Sequence, residues 1–261
     1  MALFFHDLKR GKLSLIIWTS VLAFMILVCV LIYPEMKEQM SEMSEMFSDM
    51  GAFSDAFSLD QLGLSDYLGY ISMECGEVLG IGGACFAAIV GISALSKEER
   101  DKTAELLLTH PISRRKVFLT KLLCVFCQIF ILNAAIFAVL VLSTLAIGED
   151  VDMKKLALVL LSYFLLHTEI ALITFGLSAF MRKRGIGLGL GISMLFYFLN
   201  IIANISEDVQ VIKYLTPFAY TNGSYILENT SLEWKYIAVG GVVTVAALVA
   251  GALKYEKKDI L

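Results

Sequence analysis

The sequence lacks most of the motifs by which a chain does covalent chemistry on its own. It has no G-x-x-x-x-G-K-[ST] run, which excludes nucleotide binding in the P-loop manner. There is no H-E-x-x-H, and the three histidines, His6, His110 and His167, are too dispersed for a zinc site. Serine, histidine and aspartate occur only as scattered residues, so no nucleophilic triad is legible. Cysteine is scarce and odd in number: Cys29, Cys75, Cys85, Cys124 and Cys127 all lie in or beside apolar runs, which argues against a disulfide framework. Cys124-x-x-Cys127 has no second pair and no nearby histidine, so these read as packing cysteines. Charge is also sparse, at 18% of residues and a net charge of -4. Its basic residues sit in short segments that membrane topology explains, so nucleic-acid binding has no support. The chain reads as neither an enzyme nor a cofactor carrier.

Apolar sequence is what it has in quantity. Hydrophobic residues make up 58% of the 261, against roughly 45–50% in soluble domains. Mean hydropathy is +0.76. The expected fold class is an all-α polytopic membrane protein with six transmembrane helices, as one membrane domain over residues 1–261. Apolar runs place spans at 13–33, 77–95, 117–147, 155–181, 186–205 and 234–253. The first resembles a signal peptide but lacks a small-residue cleavage site, so it stays as a span. Pro34 is expected to end it. Residues 1–12, with Phe4, Phe5 and Leu8 opposite His6, Asp7, Lys9 and Arg10, suit a short interfacial helix.

The loops differ in character. Residues 34–76 are acidic and begin as an amphipathic helix with Met36, Met40, Met43, Phe47 and Met50 along one stripe. Met40-x-x-Met43-x-x-Met46 has the spacing either of thioether metal ligands or of a packing stripe. Gly76, Gly80, Gly83, Ala84 and Ala88 supply small residues for close helix approach in the second span. Gly185, Gly187, Gly189 and Gly191 give two overlapping G-x-x-x-G steps in the fifth. Residues 206–233 suit a re-entrant or interfacial hairpin, and residues 254–261 form a short tail.

Residues 96–116 carry the densest charge between two spans. Ser96 and Glu99 have capping-box spacing. Ala104, Leu107 and Leu108 share a face with Leu106 at its edge, and Glu98, Arg100, Asp101 and Lys102 crowd the start. Pro111 stops this short helix. Ser113 can cap the next, whose first turn carries Arg114, Arg115 and Lys116. Cations there oppose the helix macrodipole, so something other than that helix's own stability selects them.

His167 and Glu169 fall near mid-membrane, where an ionisable residue is costly. They are candidates for packing inside the bundle, for a substrate path, or for a proton relay in an ion-coupled transporter. Asn133 and Asn200 join them as candidates for the same path or interior. With the N-terminus inside, 16 of the 21 Lys and Arg fall on the inner side and five on the outer, which predicts both termini in the cytoplasm of a bacterial plasma membrane.

The run 98–121, EERDKTAELLLTHPISRRKVFLTK, resembles the signature between the second and third spans of ABC-2 type transporter permeases: an acidic cluster, Gly-Thr, a short Leu-Leu helix, Pro-[VI]-Ser-Arg and a downstream Lys. Thr103, Glu105, Leu106, Leu107, Pro111, Ser113, Arg114 and Lys121 fall on the matching places, and Lys102 stands where many members have Gly. The ending YEKKDIL is similar to the family's aromatic-basic-Asp terminus. The resemblance implies that Glu98, Glu99, Thr103, Glu105, Leu106, Leu107, Leu108, Pro111, Ser113 and Arg114 form a coupling helix docked on a separate ABC ATPase. It implies two ATPase copies, a second permease of the same or a homologous kind, ATP and Mg bound only by the partner, and export through the permease dimer. The acidic, Met- and Phe-rich outer loop favours an amphipathic or hydrophobic cargo such as a peptide, drug or lipid-like molecule. The alternatives are an ion-coupled transporter working through His167 and Glu169, or a membrane sensor subunit that transports nothing.

Overall fold

The computed structural model describes residues 2–48, 51–57, 66–95, 113–181, 185–205 and 207–257. Helix α1 spans Ala2–Ser48, α2 Ala52–Phe57 and α3 Tyr67–Cys75. A π-helical segment, Gly76–Gly83, joins α3 to α4, Ala84–Ser93. Then follow α5 Arg114–Ile147, α6 Met153–Ser178 and α7 Ile186–Ile205. Two 3-10 segments, Glu207–Leu215 and Pro217–Thr221, precede α8 Gly223–Asn229 and α9 Trp234–Lys257. No strand occurs among the described residues, and six helices are long and apolar enough to cross a membrane.

Helix α1 departs from the expected layout at both ends. It runs unbroken through residues 2–12, so these residues are the first turns of one long helix rather than a separate one. The cause is visible across the interface: Asp7 pairs with Lys121 of α5, and Gly11 lies so close to Gln128 that a side chain would overlap its amide. Nor does Pro34 end the helix; it sits inside a helix of 47 residues, about 70 Å long. Proline in a helix costs about 3 kcal/mol. Strong formers at Glu35, Met36, Lys37 and Gln39 resume the helix, and Tyr33 is pinned against Tyr67 and Tyr70 at centroid distances of 4.9 and 5.2 Å.

The second span begins ten residues earlier than hydropathy predicts, at Tyr67 rather than Glu77. Tyrosines hide it from a hydropathy count but are buried here. Tyr67 exchanges a hydrogen bond with Thr144 of α5 at 2.5 Å, and Tyr70 donates to the Cys29 carbonyl at 3.0 Å. Helices α5, α6, α7 and α9 cover the other four apolar runs.

Glycines set the close crossings. Any side chain at Gly83 would overlap His167, and at Gly91 the backbone of Ala171. Gly176 of α6 meets Ala247 and Gly251 of α9 backbone to backbone. Of the two G-x-x-x-G steps in the fifth span, Gly185 and Gly189 pack on Ile92 and Ala88 of α4, whereas Gly187 and Gly191 face open space. Helices α4 and α6 form the buried centre, with Phe86, Ala87, Ile170 and Phe175 fully enclosed. Phe24, Leu123, Leu195 and Val245 are exposed on the outside of the bundle, where acyl chains would cover them.

Candidate functional site

Two sets of polar contacts stand out against the apolar bundle. The first surrounds the attachment points of the 96–112 segment. Its coupling candidates Glu98, Glu99, Thr103, Glu105, Leu106, Leu107, Leu108 and Pro111 lie outside the described residues, as do Arg182, Lys183, Arg184 and the side chains of Met40, Met43 and Met46. The chain on either side of the segment is described, and polar contacts hold it at Ala94 before the segment and at Ser113 and Arg114 after it.

On the leading side, the last carbonyls of a helix have no partner within it. After α4, the Ala94 carbonyl accepts from Lys121 Nζ at 3.0 Å. The same ammonium lies 3.3 Å from Asp7 Oδ2 of α1, and Lys121 is only 3% exposed. One cation thus joins α1, the end of α4 and α5. A positive charge at a helix C-terminus is favoured by the macrodipole as well as by the carboxylate.

On the trailing side, Ser113 has extended backbone angles and its hydroxyl accepts from the Lys116 amide at 3.4 Å, the cap its position predicts. Arg114 reaches the C-terminus of α9, where Nη1 donates to the Glu256 carbonyl at 3.1 Å and to that of Tyr255 at 3.5 Å. Arg115 bonds the Glu256 carboxylate through its guanidinium. These cations oppose the dipole of their own helix because they serve the negative end of another. Below them the Tyr255 ring packs at a tilt against Phe118, centroids 6.0 Å apart, and Phe118 meets Phe175 of α6 edge to face at 5.0 Å, which carries the brace into the core.

The second set lies inside the bundle. His167 is fully buried. Its Nε2 is 2.9 Å from the Leu79 carbonyl in the π-helical segment; a carbonyl only accepts, so this nitrogen carries a hydrogen. Nδ1 pairs with the side-chain amide of Asn133 at 3.0 Å, and Asn133 donates to the Ile129 carbonyl at 2.8 Å. π-Helical turns widen the backbone and often mark functional positions.

Glu169 is held elsewhere. Two residues along a helix are about 200° apart, and Glu169 accepts from the Tyr220 hydroxyl at 2.9 Å, facing Gly240 of α9. Tyr220 comes from the buried segment Pro217–Thr221 that dips into the bundle. Of the four interior candidates, the structure therefore joins His167 with Asn133 and keeps Glu169 apart. Asn200 on α7 has its carbonyl oxygen buried without a partner among the described residues. Sequence reasoning missed Asp7, Gln128, Tyr220 and Glu256. Asp7, an acid within a basic N-terminal segment, is the one whose position gave a hint.

The described residues form an all-helical bundle with six helices long and apolar enough to cross a membrane. The family described as ABC-2 family transporter protein matches residues 1–260, and the chain belongs to that family. It is an ABC-2 permease domain, a transmembrane component that is not itself catalytic. No curated protein and no solved structure matches the chain.

Proposed function

We propose that this chain is the permease subunit of an ATP-driven exporter, with residues 96–112 docking on a separate ABC ATPase that binds ATP and Mg. Family membership over 1–260 carries the reading. The braces at either border of that segment support it, since a lever transmits force only if both of its ends are fixed to what it moves. Lys121 fixes the entry to α1 and α4, and Arg114 and Arg115 fix the exit to α9. Two permeases and two ATPases make up the transporter, with both termini and the segment in the cytoplasm. The cargo is amphipathic or hydrophobic, in keeping with the acidic, Met- and Phe-rich character of residues 34–76.

The separation of His167 from Glu169 counts against a proton relay running through both. The test is co-expression with an ABC ATPase of the same genome, followed by purification and ATP hydrolysis in lipid. A stable complex that loses its ATPase, or its stimulated hydrolysis, on Leu107→Asp is expected. Ion-driven flux by this chain alone, with no nucleotide requirement, would overturn the reading.

A further inference from the structure

Because the second span begins at Tyr67, Glu77 lies ten residues inside its end, about 15 Å along the axis, and not at the interface. Its side chain is exposed there, on the π-helical segment. It makes no hydrogen bond or ion pair with any described residue, and the charged group it feels among them is another carboxylate, Glu74. A carboxylate open to acyl chains is costly, so an ionisable residue within a span faces water, the bundle interior or an opposite charge. The open face at Glu77 is therefore lined for something polar that this chain does not itself supply.

Helix α7 stands opposite. Gly189 packs on the Ala88 carbonyl of α4, and the second and fifth spans run in opposite directions. Eleven residues back from Ala88 is Glu77, and eleven on from Gly189 is Asn200, so the two reach the same depth. Eleven residues make three turns, which keeps Asn200 on the face that Gly189 turns to the second span. Tyr197, one turn before Asn200, is within electrostatic reach of Glu77. Its ring is half-buried and meets Phe218 edge to face at 5.5 Å. The Asn200 Oδ1 is enclosed without a partner, so the two spans do not satisfy this contact with their own groups.

We propose that Glu77, Tyr197 and Asn200 form a subsite for a protonated amine carried on an apolar body. The carboxylate takes the charge, the Tyr197 ring attracts a cation at its face, and rotation of the Asn200 amide gives its oxygen an N–H donor. These groups are too few for a hard divalent cation, which takes about six oxygen ligands. Lipid ammonium groups lie at the membrane surface, outside a hydrocarbon layer about 30 Å thick, whereas an amine on an apolar body reaches the depth of Glu77. Naming that amine as cargo rests on the export reading above; its binding to this chain does not.

The test uses the full chain, purified and reconstituted in lipid, with a diazirine-bearing dodecylamine as probe and mass spectrometry to locate the label. Label is expected on residues 67–83 and 193–204. Excess dodecylamine should compete it away and dodecanol should not, and it should fall at least about tenfold in Glu77→Gln. Glu149→Gln, an acid in the turn after α5, should leave labelling unchanged, which separates a site from general attraction by surface charge. If Glu77→Gln fails to fold, Asn200→Leu is read the same way. Equal labelling by the matching diazirine alcohol, undiminished labelling in both variants, or competition by sodium ion as strong as by dodecylamine would each overturn the proposal. Transport is scored separately with the ABC ATPase present. ATP-driven efflux of dodecylamine that persists unchanged in Glu77→Gln overturns the subsite and leaves the exporter standing. Labelling that depends on Glu77, with no ATP-driven efflux of any amine, upholds the subsite and counts against the exporter.

Discussion

Lys121 of α5 donates to the carbonyl of Ala94, the residue after α4, at 3.0 Å. A single buried ammonium therefore ties the chain on one side of the 96–112 segment to the helix on the other, and Asp7 locks it there.

Removing that ammonium strands both partners. Lys121→Met should destabilise the protein by about 2–4 kcal/mol, because it leaves a carboxylate and a carbonyl without their donor. Asp7→Asn combined with Lys121→Met should cost less than the sum of the single changes, since each variant removes the same interaction. Thermal unfolding in detergent, followed by size-exclusion chromatography, reads both. Additive losses would show that the two residues do not interact.

The brace between α5 and α9 predicts a different pattern, because Arg115 is exposed and Glu256 only half-buried, and pairs so open to solvent add little to stability. Arg115→Glu should leave the melting temperature nearly unchanged while lowering coupled ATP hydrolysis or transport. The charge exchange Arg115→Glu with Glu256→Arg should restore it. A rescue that is lost at high salt would support an electrostatic contact further.

At Gly83, any side chain would overlap the His167 ring. Gly83→Ala should cost about 1–3 kcal/mol by overpacking despite the better helix propensity of alanine. Gly187 faces open space, and Gly187→Ala should be neutral or stabilising by up to about 1 kcal/mol. His167→Ala should relieve the first penalty and leave the second unchanged. Unfolding midpoints of the three single variants, and of His167→Ala combined with each glycine change, test the geometry directly.

Tyr220→Phe removes the donor to Glu169 and should destabilise by about 1–3 kcal/mol, since the carboxylate is left buried without its hydrogen bond. Glu169→Gln keeps an acceptor in place and should cost less. Equal losses in the two variants would mean that the hydrogen bond contributes little and that packing at Gly240 dominates.

These residues separate what was legible from what was not. Ser113 as a cap could be read from spacing, because local backbone chemistry sets it; of the glycines read as points of close approach, Gly83, Gly185 and Gly189 are so placed and Gly187 and Gly191 are not. The partners of Lys121, Arg115 and Glu169 could not. Asp7, Glu256 and Tyr220 are 114, 141 and 51 residues away in the chain, and periodicity carries no information about such pairings.

By itself the sequence determined the six-helix membrane class and the approximate spans, because a bilayer demands long apolar runs and helices satisfy their own backbone. It also marked the charged segment between the second and third spans. Only the tertiary structure decided that α1 passes through Pro34, that the second span starts at Tyr67, and that the cations opening α5 serve the end of α9. The physical reason is the same each time: a local cost or an ambiguous hydropathy is settled by a contact whose other half lies on a different helix.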